Sequence, residues 1–488
     1  MELSLITSLI ADPAKLISKI ESTRQKDDGT AKLYDPENHD ITDCNIRKKR
    51  EVFYPVMDAN GVQETDPTSG DVKLRRVYEE VARITSAAQK QIVTWAVQIA
   101  AGVPVEIQAD PANATETKMV ALLKKTLKDN KMEYLDQEIL RLTAIYKICA
   151  EIWYSEPVEP NFWGDLGNKA SKFRMRLMIL SEENGDILYP VKDNTGNMVA
   201  LGRAYKIRDD EDKEISMFDL FLHDGYTTFK QDVTGWTSQG KTPTKYGKAN
   251  FIVHQQARRE WDDVQPKIAR LETLDSNHAD QNDATGSPIL AVSGKIEGFG
   301  KRGETGKVFE LENGSDIKVV ESTGAPESIK MERENLVKGI FDETNTPQIS
   351  FSEAQGFGAN IPGITIKLLF LPATLKALGR QSGGWGMSVQ RRYNFLKSAM
   401  AVINTDVASA VGMDISPLFS IYMPSNDTER YQNIVSLVGA GLMSKETALQ
   451  QLAFTSDPVA EFEKIKKEAA EAAKLVPGPV VPPMPLVK

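Results

Sequence analysis

Pro266-Lys267-Ile268-Ala269-Arg270-Leu271-Glu272-Thr273-Leu274-Asp275-Ser276-Asn277 opens the stretch on which the fold turns. Ile268, Leu271 and Leu274 recur at helical spacing and predict a helix over 266–283. The period changes at 288–321. There Val308-Phe309-Glu310-Leu311 and Ile317-Lys318-Val319-Val320 flank Glu312-Asn313-Gly314-Ser315-Asp316. Asn-Gly between alternating runs predicts that these two runs pair as a hairpin. A second helix is predicted over 328–343, with Leu336, Val337, Ile340 and Phe341 on one face, and Asn345-Thr346-Pro347 ends it. A polar loop then reaches Pro362-Gly363 with no Lys or Arg after Pro347. Two helices thus bracket a small β insert, and a glycine-containing loop follows.

Working outward toward the C-terminus, 364–404 reads as a long apolar helical tract. Pro372 is expected to kink it, and Gly383-Gly384-Trp385-Gly386 to break or bend it. Phe419 to Met423 reads as a returning strand. Helices follow over 428–438, 444–453 (Ser444 as cap) and 457–475. Residues 476–488 are proline-rich and expected to be disordered.

Toward the N-terminus, 174–252 falls into short alternating runs separated by turn signals such as Asn194-Thr195-Gly196-Asn197, a β-rich and antiparallel pattern. Its aromatic residues, Phe218, Phe221, Tyr226 and Phe229, read as core. Helices are predicted over 115–130 and 134–154, and Val105 to Gln108 reads as a short strand. The strongest helical pattern of this half runs from Val72 to Ala101, with Val77, Val81, Ile84, Ala88, Ile92, Ala96 and Ile99 in one stripe. Gly102 offers a left-handed stop. Residues 55–72 read as an exposed loop. Arg47-Lys48-Lys49-Arg50 is either a solvated face or a contact for DNA or an acidic partner. Residues 1–22 read as two helices divided at Asp12-Pro13.

The chain has 488 residues, 41% hydrophobic and 26% charged, so more than one structural unit is expected. Its two cysteines, Cys44 and Cys149, are too few and too far apart for a disulfide framework or a zinc site. A net charge of -9 argues against a protein that grips nucleic acid over most of its surface, though not against one that lets DNA slide past. The opening Met1-Glu2-Leu3-Ser4-Leu5 lacks the basic region of a signal peptide, and no apolar run has membrane-spanning length.

Enzyme signatures fail. Gly298-Phe299-Gly300-Lys301-Arg302-Gly303 has the spacing of a dinucleotide loop, but it leads into the β run at Val308 and meets no helix N-terminus. His39, His223, His254 and His278 lack metal-ligand spacing. Asp262-Asp263 and Glu182-Glu183 read as surface pairs. No cofactor and no metal site is expected.

Several strings, taken in order, resemble the portal proteins of siphophages. They are Arg83-Ile84 with Gln89-Lys90-Gln91-Ile92-Val93 and Ala101-Gly102-Val103-Pro104-Val105; Tyr246-Gly247-Lys248-Ala249-Asn250-Phe251-Ile252-Val253; Leu271 to Asn277; Pro288-Ile289-Leu290-Ala291-Val292-Ser293-Gly294; and Gly441-Leu442-Met443-Ser444-Lys445-Glu446-Thr447-Ala448, followed by Asp457-Pro458. Pro362-Gly363-Ile364-Thr365-Ile366-Lys367 also resembles a family string, with Pro362 where the family has serine and Thr365 where it has alanine.

The resemblance implies an α+β, multidomain portal fold with long helices and small β units. Residues 1–263 and 361–424 would form the wing, 264–285 and 328–345 the stem helices, 286–327 the clip, 346–360 the tunnel loop and 425–475 the crown. The function implied is a ring-shaped channel at one capsid vertex for genome packaging and ejection, built of a non-enzymatic subunit. The ring is expected to be dodecameric and the protein to reside in the virion after assembly in the host cytoplasm. Gln348, Ser350, Ser352, Glu353, Gln355 and Asn360 would face double-stranded DNA without reading its sequence. Phe351 and Phe357 would pack loop to loop or touch DNA. Lys295, Phe299, Lys301, Arg302 and Lys307 would meet clip partners. Those partners are the terminase large subunit and the head-tail connectors; capsid and scaffolding proteins are further partners, and no membrane is involved. The competing readings are another virion structural or adaptor protein and a metal-dependent DNA-processing enzyme.

Overall fold

The computed structural model describes residues 1–24, 29–56, 64–168, 171–285, 289–293, 296–298, 310–311, 316–320, 326–348, 363–421, 427–452 and 458–475. The chain divides into two compact units, Met1–Gln348 with Pro372–Tyr422, and Ile349–Leu371 with Met423–Lys488. It is of mixed α and β type.

The first unit opens with α1 (Leu3–Leu9) and α2 (Pro13–Glu21), separated as expected at Asp12, whose side chain accepts from the Lys15 N–H at 3.2 Å. Next come β1 (Arg50–Pro55) and β2 (Leu74–Glu79), then α3 (Ala88–Ala101), β3 (Glu106–Gln108), α4 (Ala114–Asp129) and α5 (Met132–Tyr146). β4 (Ile148–Pro157), β5 (Phe173–Leu180), β6 (Ile187–Lys192), β7 (Met198–Arg208), β8 (Glu214–Leu222), β9 (Gly225–Asp232), β10 (Gly235–Pro243) and β11 (Phe251–Gln255) follow. They form two antiparallel sheets, ordered β10-β9-β8-β7-β6 and β11-β4-β5.

Strand alternation assigns the core of the larger sheet. Phe218, Leu220 and Leu222 of β8 face Ile6, Leu16, Ile17 and Ile20 of the two N-terminal helices. Phe221, one residue out of phase, joins Leu188 and Leu201 against Ile148, Ala150, Ile152 and Val253 of the smaller sheet. Phe218, Phe221 and Phe229 are therefore core, as expected, and Tyr226 stacks on Phe221 at 5.4 Å between centroids.

The remaining elements are α6 (Gln265–Thr285), β12 (Ile289–Ser293), β13 (Ile296–Gly298), β14 (Glu310–Leu311), β15 (Asp316–Val320), α7 (Pro326–Glu343), α8 (Gly363–Ser382), α9 (Gly384–Ile403) and β16 (Ser416–Leu418). The last three are α10 (Asp427–Gly439), α11 (Lys445–Leu452) and α12 (Pro458–Leu475). The Thr447 N–H donates to Ser444 Oγ at 3.1 Å, so Ser444 caps α11.

Five expectations need correction. The 72–101 helix is a strand followed by a shorter helix. Leu74 to Glu79 pairs antiparallel with Arg50 to Pro55, and α3 begins only at Ala88. The stripe at Val77, Val81 and Ile84 satisfied a helical period by coincidence, because cross-strand pairing outweighs local propensity. The 134–154 helix ends at Tyr146, where Lys147 takes a left-handed conformation (φ 66°). Ile148 to Trp153 is then buried throughout as the central strand of its sheet, and a run that is apolar but for Glu151 carries no clear period to separate the two states. Within the insert, β15 pairs with β12 and β14 with β13, so the runs on either side of Asn313-Gly314 do not pair with each other among the described residues. The returning strand lies at Ser416–Leu418 beside β3, earlier than the expected 419–423. Gly102 ends α3 in the right-handed region (φ −66°); it is required because a Cβ there would lie 2.3 Å from the Gln98 carbonyl oxygen. α8 continues through Pro372, and the helical tract breaks at Gly383.

One buried ionic group joins α5, β4, β11 and α9. Arg392 Nη2 lies 2.5 Å from Glu151 Oε1 and 2.8 Å from Asp136 Oδ1. Glu151 also accepts from His254 Nε2 at 2.6 Å and Trp153 Nε1 at 2.9 Å. Burial alone would raise the Glu151 carboxyl, but Arg392 and His254 hold it at about 2, whereas burial raises Asp136. Replacing Arg392 by Met removes the guanidinium shared by two buried carboxylates, leaving Asp136 uncompensated and Glu151 with His254 and Trp153 alone, a loss of about 3–5 kcal/mol at neutral pH. Urea melts of R392M are expected to show that deficit at pH 7 and a smaller one near pH 4, where the orphaned carboxylates take up protons. A deficit independent of pH would contradict the assignment.

Candidate functional site: a strapped helix pair and the root of a loop

α6 carries Glu272, Ser276 and Asp280 four residues apart, hence on one face. Residues 82–86 run beside it in extended form. The Ala82 N–H donates to Asp280 Oδ1 (2.8 Å), the Ile84 N–H to Ser276 Oγ (2.9 Å) and the Ser86 N–H to Glu272 Oε1 (2.8 Å). The match is geometric. Two residues of extended chain advance about 6.6 Å and four of helix about 6.0 Å, so alternate N–H groups meet every fourth helical side chain. The ladder supplies the backbone of 82–86 with hydrogen-bond partners outside any sheet.

Two further groups close on the same face. Arg47 Nη2 lies 2.6 Å from Asp280 Oδ2, Nη1 donates to Asn277 at 2.9 Å, and Nε donates to the Ala82 carbonyl at 2.8 Å. His39 is buried, with Nδ1 donating to Glu272 Oε1 at 2.5 Å and Nε2 donating to the Leu33 carbonyl at 2.8 Å. Both ring nitrogens face acceptors, so the bound form is the imidazolium. Burial works against that charge. The Glu272 hydrogen bond, the Leu33 carbonyl and the charges of Glu272 and Asp35 together outweigh it and raise the His39 pKa above 6.5. Within the basic run at 47–50 only Arg47 is turned inward, where it holds Asp280; Lys49 pairs with Glu80 at the surface, and Arg50, also exposed, lies 3.9 Å from Asp280. Lys48 is left exposed.

α7 lies antiparallel to α6. Ion pairs join Lys267 to Glu343, Arg270 to Glu332 (2.8 Å) and Arg333 to Asp275 (2.9 Å). These pairs are solvent-accessible and set register more than stability. Of the four residues expected on one face of α7, Ile340 is fully buried, and Leu336, Val337 and Phe341 are half-buried. Asn345 ends the helix in the left-handed region (φ 54°), and the Thr346 N–H returns to the Phe341 carbonyl at 2.9 Å. Lys376 of α8 donates to the Thr344 carbonyl at 2.8 Å while pairing with Glu260 at 2.7 Å. Gln348 is exposed, and its Nε2 donates to the Val337 carbonyl at 3.1 Å. The chain leaving α7 thus starts from a fixed root.

Residues 75–475 match the family model described as "Phage portal protein, SPP1 Gp6-like". The chain belongs to that family. It is a phage portal protein, a structural component of the virion at the portal vertex. No curated protein matches it. Two solved structures to which it is similar are a chain of "Neck of empty GTA particle computed with C6 symmetry" and one of "Virion of native gene transfer agent (GTA) particle". The first is 13% identical with a TM-score of 0.37, covering 76% of this chain and 90% of that one. The second is 11% identical with a TM-score of 0.37, covering 75% and 90%.

Of the site residues expected from sequence, Gln348 alone is described, and it caps the fixed root of the loop. Ser350, Ser352, Glu353, Gln355, Asn360, Phe351 and Phe357 lie outside the described residues. So do Lys295, Phe299, Lys301, Arg302 and Lys307. No helix is long and apolar enough to cross a membrane among the described residues, and no group of His, Cys, Asp and Glu there has the arrangement of a metal site. Sequence reasoning missed His39, Glu272, Ser276 and Asp280. The signal of the last three is a polar period of four on α6, whose polar side reads by default as solvent-facing.

The His39–Glu272 contact has a testable sign. A His raised in the folded state contributes stability that is complete below 6.5 and fades as pH climbs through its folded value. In urea melts across pH 5.5–9, the gap between wild type and His39→Gln is expected to be widest at the acidic end and to close toward pH 9. A gap that widens with pH would mean His39 is held neutral.

Proposed function

We propose that this portal protein closes into a ring, expected to be dodecameric, through whose centre double-stranded DNA enters and leaves the capsid. The observation that carries the reading is the portal-family match over 75–475, which spans the helix–β insert–helix arrangement of α6, β12–β15 and α7. In this reading residues 1–263 and 361–424 are the wing, α6 and α7 the stem, 286–327 the clip, 346–360 the tunnel loop and α10–α12 the crown. The fixed root at Asn345 to Gln348 gives the loop a firm base on the stem side, which suits a segment that meets moving DNA.

Charge supports passage without gripping. With a net charge of -9 per chain, such a ring adds no sequence-independent attraction to a duplex carrying a charge every 1.7 Å. Gln348 and the loop residues Ser350, Ser352, Gln355 and Asn360 would offer transient hydrogen bonds to phosphates, and Glu353 would discourage tight binding. Lys295, Lys301, Arg302 and Lys307 would present a basic clip, with Phe299 as an apolar anchor, to the terminase large subunit and then to the head-tail connectors. Capsid and scaffolding proteins would meet the outer parts. The subunit itself would catalyse nothing.

Native mass spectrometry of the purified chain is expected to give one closed oligomer with no hydrolysis of duplex DNA in the presence of Mg²⁺ or Mn²⁺. Fluorescence anisotropy at physiological salt is expected to show the ring binding a short duplex no more tightly than about 10⁻⁵ M. A stable monomer with metal-dependent nuclease activity would support the enzyme reading instead.

A further inference from the structure

Among the described residues, β1 and β2 stand apart as a two-stranded sheet joined to no other strand. A two-stranded ribbon in water is marginal by itself. Its register places Glu51, Phe53, Pro55, Leu74, Arg76 and Tyr78 on one face. Phe53, Leu74 and Tyr78 are 55%, 56% and 57% exposed, so the apolar side chains of this face are largely uncovered by the described residues. The charges on it cancel locally, because Arg76 pairs with Glu51 and stacks over the Tyr78 ring at 5.5 Å. The base of the ribbon, by contrast, is pinned to α6 through Arg47 and the 82–86 ladder.

The same unit carries an unfilled groove of about 580 Å³ between α3, α6 and α7. Trp95, Leu271, Val337 and Phe341 give it an apolar lining, with Thr94 among the exposed residues of its rim. Its rim charges are also already paired, Arg333 with Asp275 and Lys90 with Asp35. No residue of the ribbon lines the groove. One chain therefore presents an apolar projection and an apolar recess, both open and both neutralised within themselves. Joining them strands no charge.

We infer that the β1–β2 ribbon of one copy docks, Phe53 and Tyr78 first, into the α3–α6–α7 groove of the next copy. Projection and recess are different surfaces, so the contact is head-to-tail, the kind that closes into rings when repeated. The two aromatic residues act as anchors in a groove with an apolar lining. Since the ribbon is tied to α6 and the groove is partly built from α6 and α7, each contact links the helix pair of one copy to that of its neighbour. The inference rests on the ring reading and names the surface that makes it.

Two measurements test it on the full chain in a Cys44→Ser background, Cys149 being buried. In the first, protein carrying Tyr78→Cys is mixed with protein carrying Thr94→Cys, and a short bismaleimide is added after reassembly. A covalent dimer joining the two is expected, and assembled rings without it overturn the inference. In the second, Phe53→Asp with Tyr78→Asp is expected to raise the concentration at half-assembly about tenfold or more, a loss of about 1.4 kcal/mol or more per contact. The melting of the core should not change, because Phe53 and Tyr78 lie on the ribbon's exposed face. Unchanged assembly of this variant overturns the docking and leaves the ring intact. A wild type that never assembles removes the ring reading and this inference together.

Discussion

The backbone of residues 82–86 has no sheet to join, and its hydrogen bonds are met instead by Glu272, Ser276 and Asp280 of α6. That constraint organises much of the first unit. These part-buried N–H groups meet side-chain acceptors at three successive rungs, so the strap and the helix are fixed to each other in both position and register. His39 and Arg47 add charge to Glu272 and Asp280, from the loops that lead out of the N-terminal helices and into the β1–β2 ribbon. Slipping α6 by one residue would turn the Glu272 face away and break the ladder at every rung.

From this fixed helix the rest follows by contact. α7 lies against α6 and is registered by three exposed ion pairs and by burial of Ile340. The end of α7 is held by its left-handed Asn345 and by Lys376, which also satisfies Glu260. The sheets stand on a separate foundation, the Arg392–Glu151–Asp136 group, where one guanidinium serves two carboxylates drawn from α5 and β4. The portal family's function asks for a rigid body beside a passage. Here the rigidity resides in buried ionic groups that tie distant parts of the chain together.

How much of this the sequence disclosed depended on the kind of signal. Periodic elements bounded by clear stops were legible: α2 behind Asp12, α4, α6 and α7 were all read within a few residues of their ends. The β-rich stretch and its aromatic core were legible for the same reason. Two helices were misread where tertiary pairing decided. Leu74 to Glu79 has a helical stripe but finds Arg50 to Pro55 across from it, and Ile148 to Trp153 has no period because both of its faces are buried. The α6 ladder was invisible, since Glu, Ser and Asp at every fourth position look like a wet face until a strand is known to lie on them. Of the two readings of the basic run at 47–50, a solvated face fits Lys48, Lys49 and Arg50, which are exposed, while Arg47 is spent on Asp280.

The portal account makes its central claim about what surrounds an axis. An image reconstruction of the assembled particle at a resolution that shows helices tests this most directly. The account predicts a closed ring with an open bore wide enough for a duplex, α6 and α7 of every copy ranged around it, and the segment after Gln348 facing the opening. A particle without a bore, or one in which α6 and α7 lie on the outer rim with that segment turned away from the axis, would contradict it.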